Sequence, residues 1–454
     1  MLRRRVVATV ALVVAVVGRA SAHGGSLAEG VREPLTIPTW LFLSTGGAAV
    51  GASFLLASFV TDRSLIGAIH DWRRSVPVPA RRALVGVARA LGIAGLVVVV
   101  VAGYFGPDEP RANAAILLVW VGWWAGLSMS AYLLGDSWAV LNPWRTVADL
   151  LPSLDLRYPD RFGAWPSVLG LLGLVFLEVV SPLAENASLL ATTVLAYTVV
   201  TLLGAVLVGP DTWFGQVDPP ARVFRYYGRV APITADEDGL HLRLPGTALS
   251  ERRLVDGRDE VAFVVALLWV TTFDGFVATP AWGDVARPLV RAGLPPLATY
   301  LLGMLVGFAL FSSIYFLAAE LARRSADTFL TPAALAERFA PPLLAIVAGY
   351  HLAHYLDYFL GLAPALAEAL VAPLATREAI LTLPIPGWFG GVSLASIIVG
   401  HLLAIWVAHA AAYDLFPGRL QAIRSQYPFI AVMVVYTMTS LWVISQPDAA
   451  LPYL

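Results

Sequence analysis

The chain contains no cysteine and no lysine, and only 13% of its 454 residues are charged. Without cysteine there are no disulfides, thiolate metal ligands, iron–sulfur clusters or nucleophilic thiols. Without lysine there is no Schiff-base chemistry and no phosphate-binding loop of the GxxxxGK type. Any metal site in this chain therefore has to be built from histidine and carboxylate side chains.

The low charge content decides the class of protein. Ordinary soluble domains carry roughly 25% charged residues, whereas here 58% of the residues are hydrophobic and the formal net charge is −1. So few charges cannot cover a core of this size, so the apolar surface has to face lipid. The composition predicts a polytopic membrane protein whose partner is the lipid bilayer, and it offers no basic surface for nucleic acid.

The amino terminus has the pattern of a secretory signal peptide. Arginines at 3–5 precede an apolar run over 6–17, and the small residues at 20–22 suit a signal-peptidase site. We therefore predict a signal peptide over 1–22, with an uncleaved signal anchor as the alternative. Cleavage would leave His23 as the first residue, where its amine and ring together can chelate a metal ion such as copper. The simpler alternative is a histidine that merely follows the cleavage site.

Ten hydrophobic segments of about 20 residues, the length that crosses a ~30 Å apolar slab, follow the signal. They predict an all-α bundle of about ten transmembrane helices in a single domain over 23–454. The segments are 37–60, 84–106, 113–135, 165–182, 187–209, 260–279, 296–320, 340–362, 389–412 and 426–445.

The arginines predict how the chain is oriented. With the mature amino terminus outside, 20 arginines fall in the inside connections and 5 in the outside segments, which is the expected positive-inside bias. We therefore predict a multi-pass protein of the cell membrane with both mature termini extracytoplasmic. The longest inside segment, 210–259, is predicted to form a small cytoplasmic platform. It would carry an interfacial helix at 221–229 and a strand at 240–244 that leaves His241 at the surface.

The most informative residues are ionisable ones inside the predicted spans. A charged side chain at mid-membrane costs about 2.5 to 3.5 kcal/mol on insertion scales, so such residues usually have a functional or paired role. Counting along each helix at the usual rise of ~1.5 Å per residue, most of them fall near one level of the membrane. They are Glu178, Asp274, His351, His354, Asp357 and His401.

The eighth span carries two of these histidines on one face. His351 and His354 are three residues apart, so their side chains share a helix face, and Asp357 is placed to orient the imidazole of His354. With His401 and a carboxylate, Asp274 or Glu178, this set predicts a site for zinc, iron or copper. An interhelical hydrogen-bond network and a proton or ion relay remain open as alternatives.

Several short motifs along the whole chain resemble the fenitrothion hydrolase-like family of prokaryotic membrane proteins. No serine-hydrolase elbow, dinucleotide-binding fingerprint or His-Glu-x-x-His zinc motif competes with this resemblance. The similar pieces are Ala22-His-Gly24, Pro38-Thr-Trp40, Leu141-Asn-Pro-Trp-Arg145, Leu177-Glu178, Leu242-Arg-Leu-Pro-Gly246, Phe273-Asp-Gly-Phe276, Tyr350-His-Leu-Ala-His-Tyr355, Gly400-His401, Ala408-His409 and Tyr436-Thr437.

The resemblance implies metal-dependent hydrolysis of an apolar phosphotriester, an organophosphate that enters from the lipid. The metal, held by His351, His354 and His401, would activate a water molecule, and a carboxylate such as Asp274 or Glu178 would accept its proton. Two other functions are compatible with the same residues. The first is a metal-ion or proton transporter, and the second is an electron-transfer protein that binds haem between two helices.

Overall fold

The computed structural model describes residues 38–236, 239–447 and 449–453, and it confirms the all-α polytopic bundle. Within these residues, nine helices are long and apolar enough to cross a membrane. The predicted signal peptide over 1–22 and His23 lie outside the described residues. The ten long helices are α1 Thr39–Ser58, α2 Arg81–Phe105, α3 Ala114–Leu133, α4 Trp165–Val180, α5 Ala187–Val208, α6 Arg258–Val277, α7 Pro296–Ser325, α8 Pro341–Val371, α9 Phe389–Leu415 and α10 Arg419–Ser445.

Short elements connect the long helices. The central part of α3, Leu118–Leu127, is a π-helix, a form often found at functional sites. An amphipathic helix, Pro280–Arg291, forms in a connection for which no secondary structure was predicted. The other short helices are Arg63–Asp71, Trp138–Leu141, Pro143–Ala148, Asp160–Phe162, Pro182–Ala184, Pro210–Thr212, Trp213–Val217, Pro219–Gly228, Thr247–Ser250 and Pro332–Phe339.

Helix α4 is shorter than the other nine. Its 16 residues correspond to about 24 Å at ~1.5 Å per residue, less than the ~30 Å of a hydrocarbon core. It ends where Ser181 takes an extended conformation before Pro182, because the residue before a proline disfavours the helical conformation. Glu178 therefore lies in the last turn of a short helix that packs within the bundle.

The helices divide into central and peripheral ones. Within the most apolar stretch of each helix, 89% of α6 is buried inside the protein, whereas only 6% of α2 is buried. An apolar helix that other helices cover lies in the interior of a bundle. An apolar helix that the rest of the protein leaves uncovered has to contact lipid. Helix α6, which carries Asp274, is accordingly at the centre, and α2 lies at the lipid-facing edge.

Helices α8 and α9 approach each other closely at two glycines. A Cβ atom on Gly349 would lie 2.6 Å from the carbonyl oxygen of Ser396 and 3.0 Å from the Cα of Gly400. Small residues at such crossings let two membrane helices pack backbone against backbone. This contact fixes the rotation of α8, and with it the directions in which His351 and His354 point.

Three short strands form a sheet, and two of them lie in the segment 210–259 that is predicted to form the platform. Strands β1 Arg73–Val76, β2 Ile233–Asp236 and β3 Gly239–Arg243 pair in the antiparallel order β1-β3-β2. The strand predicted at 240–244 is confirmed with a shift of one residue. The prediction of a surface His241 was wrong, because β3 is the middle strand and the residue is only 7% exposed. No sequence pattern indicated that β1 would be the second neighbour of β3.

The helix predicted at 221–229 forms over Pro219–Gly228, and most of its side chains are buried against the bundle. The Arg222 side chain has no exposed surface, and its Nη1 donates to Oε1 of Glu260 at 2.7 Å. A buried guanidinium needs such a partner, since desolvating an unpaired charge is costly. The aromatic residues Tyr226 and Tyr227 of this helix are also buried.

We predict that Gly349→Ala destabilises the protein by about 1 to 3 kcal/mol, because the added methyl group overpacks a backbone contact that has no free space. Thermal unfolding of the detergent-solubilised protein measures the effect. The matched control is Gly361→Ala on the same helix, whose added Cβ would have its nearest neighbour at 3.7 Å. Equal unfolding temperatures for the two variants would contradict the assigned role of the crossing.

Candidate functional site

Four helices surround a small cavity inside the bundle. It is lined by Glu178 from α4, Asp274 from α6 and His351 from α8, with Trp124 of α3 forming a further wall. Its volume of about 10 Å³ is about the space that the centre of one water molecule requires. The structure thus brings together three of the predicted site residues, which are far apart in sequence.

Asp274 is held by a chain of hydrogen bonds across three helices. The hydroxyl of Tyr355 donates to Oδ2 of Asp274 at 3.1 Å, and the indole N–H of Trp124 donates to the same hydroxyl at 2.9 Å. Nε2 of His354 lies 3.7 Å from Oδ2 of Asp274. Such charge-assisted contacts orient a buried carboxylate and offset part of its desolvation cost.

Glu178 is less satisfied than Asp274. Its side chain is buried, with 7% of the residue exposed, and Oε1 has no hydrogen-bond partner among the described residues. A buried polar atom without a partner is costly and calls for an explanation such as a catalytic role or a water molecule. Because Glu178 borders the cavity, a single water molecule there would satisfy it.

His351 joins the cavity to a cluster of aromatic side chains. The residue is 1% exposed, and the hydroxyl of Tyr132 lies 3.0 Å from Nδ1. Nε2 has no hydrogen-bond partner in the part of the chain that the structure describes. The rings of Trp124, Tyr132 and Tyr227 surround the imidazole at centroid distances of 6.0, 5.7 and 5.8 Å. These contacts fix the ring, which is a requirement for a positioned acid or base.

The structure does not bring the remaining predicted residues to the cavity. His401 is buried, but its Nδ1 lies 2.8 Å from the carbonyl oxygen of Ile397 on its own helix. Asp357 is half-buried, and its Oδ1 accepts from the backbone N–H of Tyr358 at 2.8 Å. Neither residue lines the cavity, and neither does His354, which contacts the lining residues Asp274, Tyr350 and Tyr355. His23 is outside the described residues.

The predicted metal shell is not assembled in this arrangement. Across the described ranges, no three histidine, aspartate or glutamate side chains lie close enough together to hold a metal ion. Zinc sites need three or four such ligands, so the residues as placed do not fit the predicted centre. The metal stays a prediction, and the chemistry of the site is argued from its own side chains.

A second and much larger pocket adjoins the cavity. It has a volume of about 570 Å³ and is lined by apolar side chains from α2, α3, α4, α5, α8 and the helix Pro219–Gly228. Three lining residues, Leu91, Leu174 and Leu370, are themselves 61%, 37% and 45% exposed, so the pocket reaches the outer surface of the bundle. Among the described residues, Glu178 is the one charged side chain in its wall.

The sequence reading missed the part played by Trp124 and Tyr132. Both lie in the third predicted span, whose run Trp120-Val-Gly-Trp-Trp124 places tryptophans well inside an apolar segment. Tryptophan in membrane helices favours the two interfaces, so a tryptophan cluster near mid-span was a usable signal for a buried site. The π-helical turn that presents Trp124 had no such signal.

Comparisons with known proteins add no relative. No family model, no curated protein and no solved structure matches the chain. The resemblance to the fenitrothion hydrolase-like family therefore stays a prediction that rests on the quoted motifs.

We predict that Tyr355→Phe destabilises the protein by about 1 to 3 kcal/mol, because it removes a partner from both the buried Asp274 and the indole of Trp124. Chemical unfolding in detergent measures the loss. Tyr358→Phe is the control on the same helix, since the Tyr358 hydroxyl has no hydrogen-bond partner among the described residues. The network would be refuted if both variants unfolded alike.

Proposed function

We propose that the protein is a membrane-embedded hydrolase that takes an apolar phosphotriester from the bilayer and cleaves it with a water molecule activated by Glu178. The observation that carries the proposal is the position of Glu178, which borders both the large apolar pocket and the water-sized cavity that Asp274 and His351 also line. A group in that position can contact substrate and water at the same time.

The large pocket supports an uncharged, lipid-soluble substrate. Its volume of about 570 Å³ falls within the ~300 to 1,000 Å³ of small-molecule sites. Its exposed rim residue Leu91 lies in the middle of α2, a helix long enough to span the membrane, where such a helix faces hydrocarbon. A molecule dissolved in the bilayer would therefore enter without passing through water.

The small cavity supports a single bound water molecule. A buried water usually makes two to four hydrogen bonds to otherwise unsatisfied polar groups. Oε1 of Glu178 and Nε2 of His351 both lack hydrogen-bond partners among the described residues, and both side chains line this cavity with Asp274. Water held there would lie beside a carboxylate that can accept a proton.

The proposed reaction is a direct displacement at phosphorus. The ionised Glu178 accepts a proton from the water while the water oxygen forms a bond to phosphorus. The bond from phosphorus to the aryl oxygen breaks, and the leaving group departs with the bonding electrons as a phenolate. The products are a phosphodiester and the phenolate, with the proton left on Glu178. A stable phenolate needs no general acid, so Asp274 has a positioning role.

A proton relay is the second candidate. It is supported by the polar contacts from Trp124 through Tyr355 and Asp274 to His354, and by the contact of His351 with Tyr132. Ionisable side chains inside a bundle often form such routes. The relay would move protons without releasing a product, which separates it from the hydrolase by experiment.

We predict that Glu178→Gln lowers hydrolysis of a dialkyl nitrophenyl phosphotriester by about 100-fold or more, the usual effect of removing a general base. Release of nitrophenol by protein in lipid nanodiscs measures the rate. The control is Glu185→Gln, which changes a half-buried glutamate beyond the end of α4.

Other outcomes of this experiment discriminate between the candidates. A wild-type rate equal to that of empty nanodiscs would reject the hydrolase, and proton flux into sealed vesicles would then support the relay. Metal analysis of wild type and of His351→Ala, with chelation and metal return, tests the predicted metal in the same preparation. Activity that survives chelation would place the chemistry on the side chains alone.

We further propose that the protein lies in the cell membrane with both mature termini outside, as the distribution of arginines supports. The absence of cysteine allows a direct test with single cysteines. Arg157→Cys, in a predicted inside connection, should react with an impermeant maleimide only after the cells are lysed. Asp108→Cys, in an outside segment, should react in intact cells. The reverse labelling pattern would show that the protein has the opposite orientation in the membrane.

A further inference from the structure

Three side chains separate the large pocket from the small cavity. Of the residues that line the two spaces, Trp124, Val175 and Glu178 are common to both. A substrate in the pocket can therefore meet the water in the cavity only past these three groups. Together they form a partition between an apolar space of about 570 Å³ and a space of about 10 Å³ that Asp274 and His351 also line.

Trp124 is a fixed part of this partition. Its indole N–H donates to the hydroxyl of Tyr355 at 2.9 Å, and its ring lies edge-on to those of His351 and Tyr355 at centroid distances of 6.0 and 6.4 Å. The same Tyr355 hydroxyl donates to Asp274 at 3.1 Å, so the bond from Trp124 also helps to orient Asp274. Movement of Trp124 would break this network, so the indole does not act as a swinging gate.

Val175 is the part of the partition that can vary without breaking a hydrogen bond. It precedes Glu178 by three residues on α4, so the two side chains share a helix face one turn apart. The residue is 4% exposed, and its β-branched side chain has one strongly preferred rotamer in a helix. Its two methyl groups therefore set a fixed width for the passage beside Glu178.

We propose that Val175 determines substrate specificity by limiting the size of the groups carried at the reacting end of the molecule. This inference rests on the proposed hydrolysis. The bulk of the substrate stays in the large pocket, whereas the alkoxy groups on phosphorus have to fit between Val175 and the indole of Trp124. A phosphotriester with a large aryl group and small alkyl groups fits this division.

The test uses three aryl dialkyl phosphates that share one nitrophenyl group and carry methyl, ethyl or propyl chains. Binding is measured by titration calorimetry with protein in nanodiscs that carries Glu178→Gln, which prevents turnover, and hydrolysis is measured with Glu178 intact. We expect affinity and kcat/KM to fall about tenfold for each added methylene, the lower end of the discrimination seen in apolar pockets.

Substitutions on α4 should change this series in a defined way. Val175→Ala should remove most of the decrease in affinity and kcat/KM between the methyl and the propyl compound. Val175→Ile should make this decrease larger. Leu174→Ala is the matched control, because Leu174 lines the large pocket but not the cavity. It should weaken all three ligands by the same factor. A second control, Val270→Ala, widens the cavity at a residue that does not line the large pocket, and it should leave the series unchanged.

The possible results separate this inference from the proposed function. If affinity falls with alkyl length and changes in the Val175 variants, but no hydrolysis is detected, the proposed hydrolysis is rejected and the partition is retained. Turnover at rates independent of alkyl length, or equal effects of Val175→Ala and Leu174→Ala on the series, would overturn the partition and retain hydrolysis. Failure of all three phosphates to bind would overturn both, since the pocket would then not accept this class of molecule.

Discussion

Hydrocarbon offers no hydrogen bonds, and this constraint shapes the interior of the bundle. Each polar side chain placed inside a membrane helix has to find its partner on another helix or in enclosed water. Asp274 accepts from the hydroxyl of Tyr355, which in turn accepts from Trp124, and Nδ1 of His351 contacts the hydroxyl of Tyr132. The helices that carry these residues are consequently the buried ones, and the more exposed helices are arranged around them.

The same constraint separates the interior into two compartments. Polar groups collect around a space of about 10 Å³, while apolar side chains line one of about 570 Å³ beside it. Mixing the two would leave polar atoms facing hydrocarbon. The boundary is therefore narrow. Glu178 lies on it because its carboxylate needs polar partners, whereas the neighbouring side chains of its helix need an apolar environment. A reaction between an apolar molecule and water needs such a boundary.

Residues with the same sequence signal had different outcomes. Both His351 and His401 are histidines in the interior of apolar spans, yet only His351 lines the cavity, and His401 lies beside a carbonyl oxygen of its own helix. Rotation of a helix about its axis by half a turn moves a side chain from one neighbour to another, and hydropathy does not report that rotation. For α8 the rotation follows from the contact between Gly349 and Gly400.

Local composition determined the class of protein, the positions of the ten long helices and the ionisable residues inside them. Transfer of each segment into lipid depends on its own residues, so these features could be predicted without knowing the fold. Only the tertiary structure decided that Glu178, Asp274 and His351 share one cavity, that His401 and Asp357 do not, and that Trp124 forms its wall. Those choices depend on how side chains from distant segments pack, and packing is a property of pairs of helices that no single segment contains.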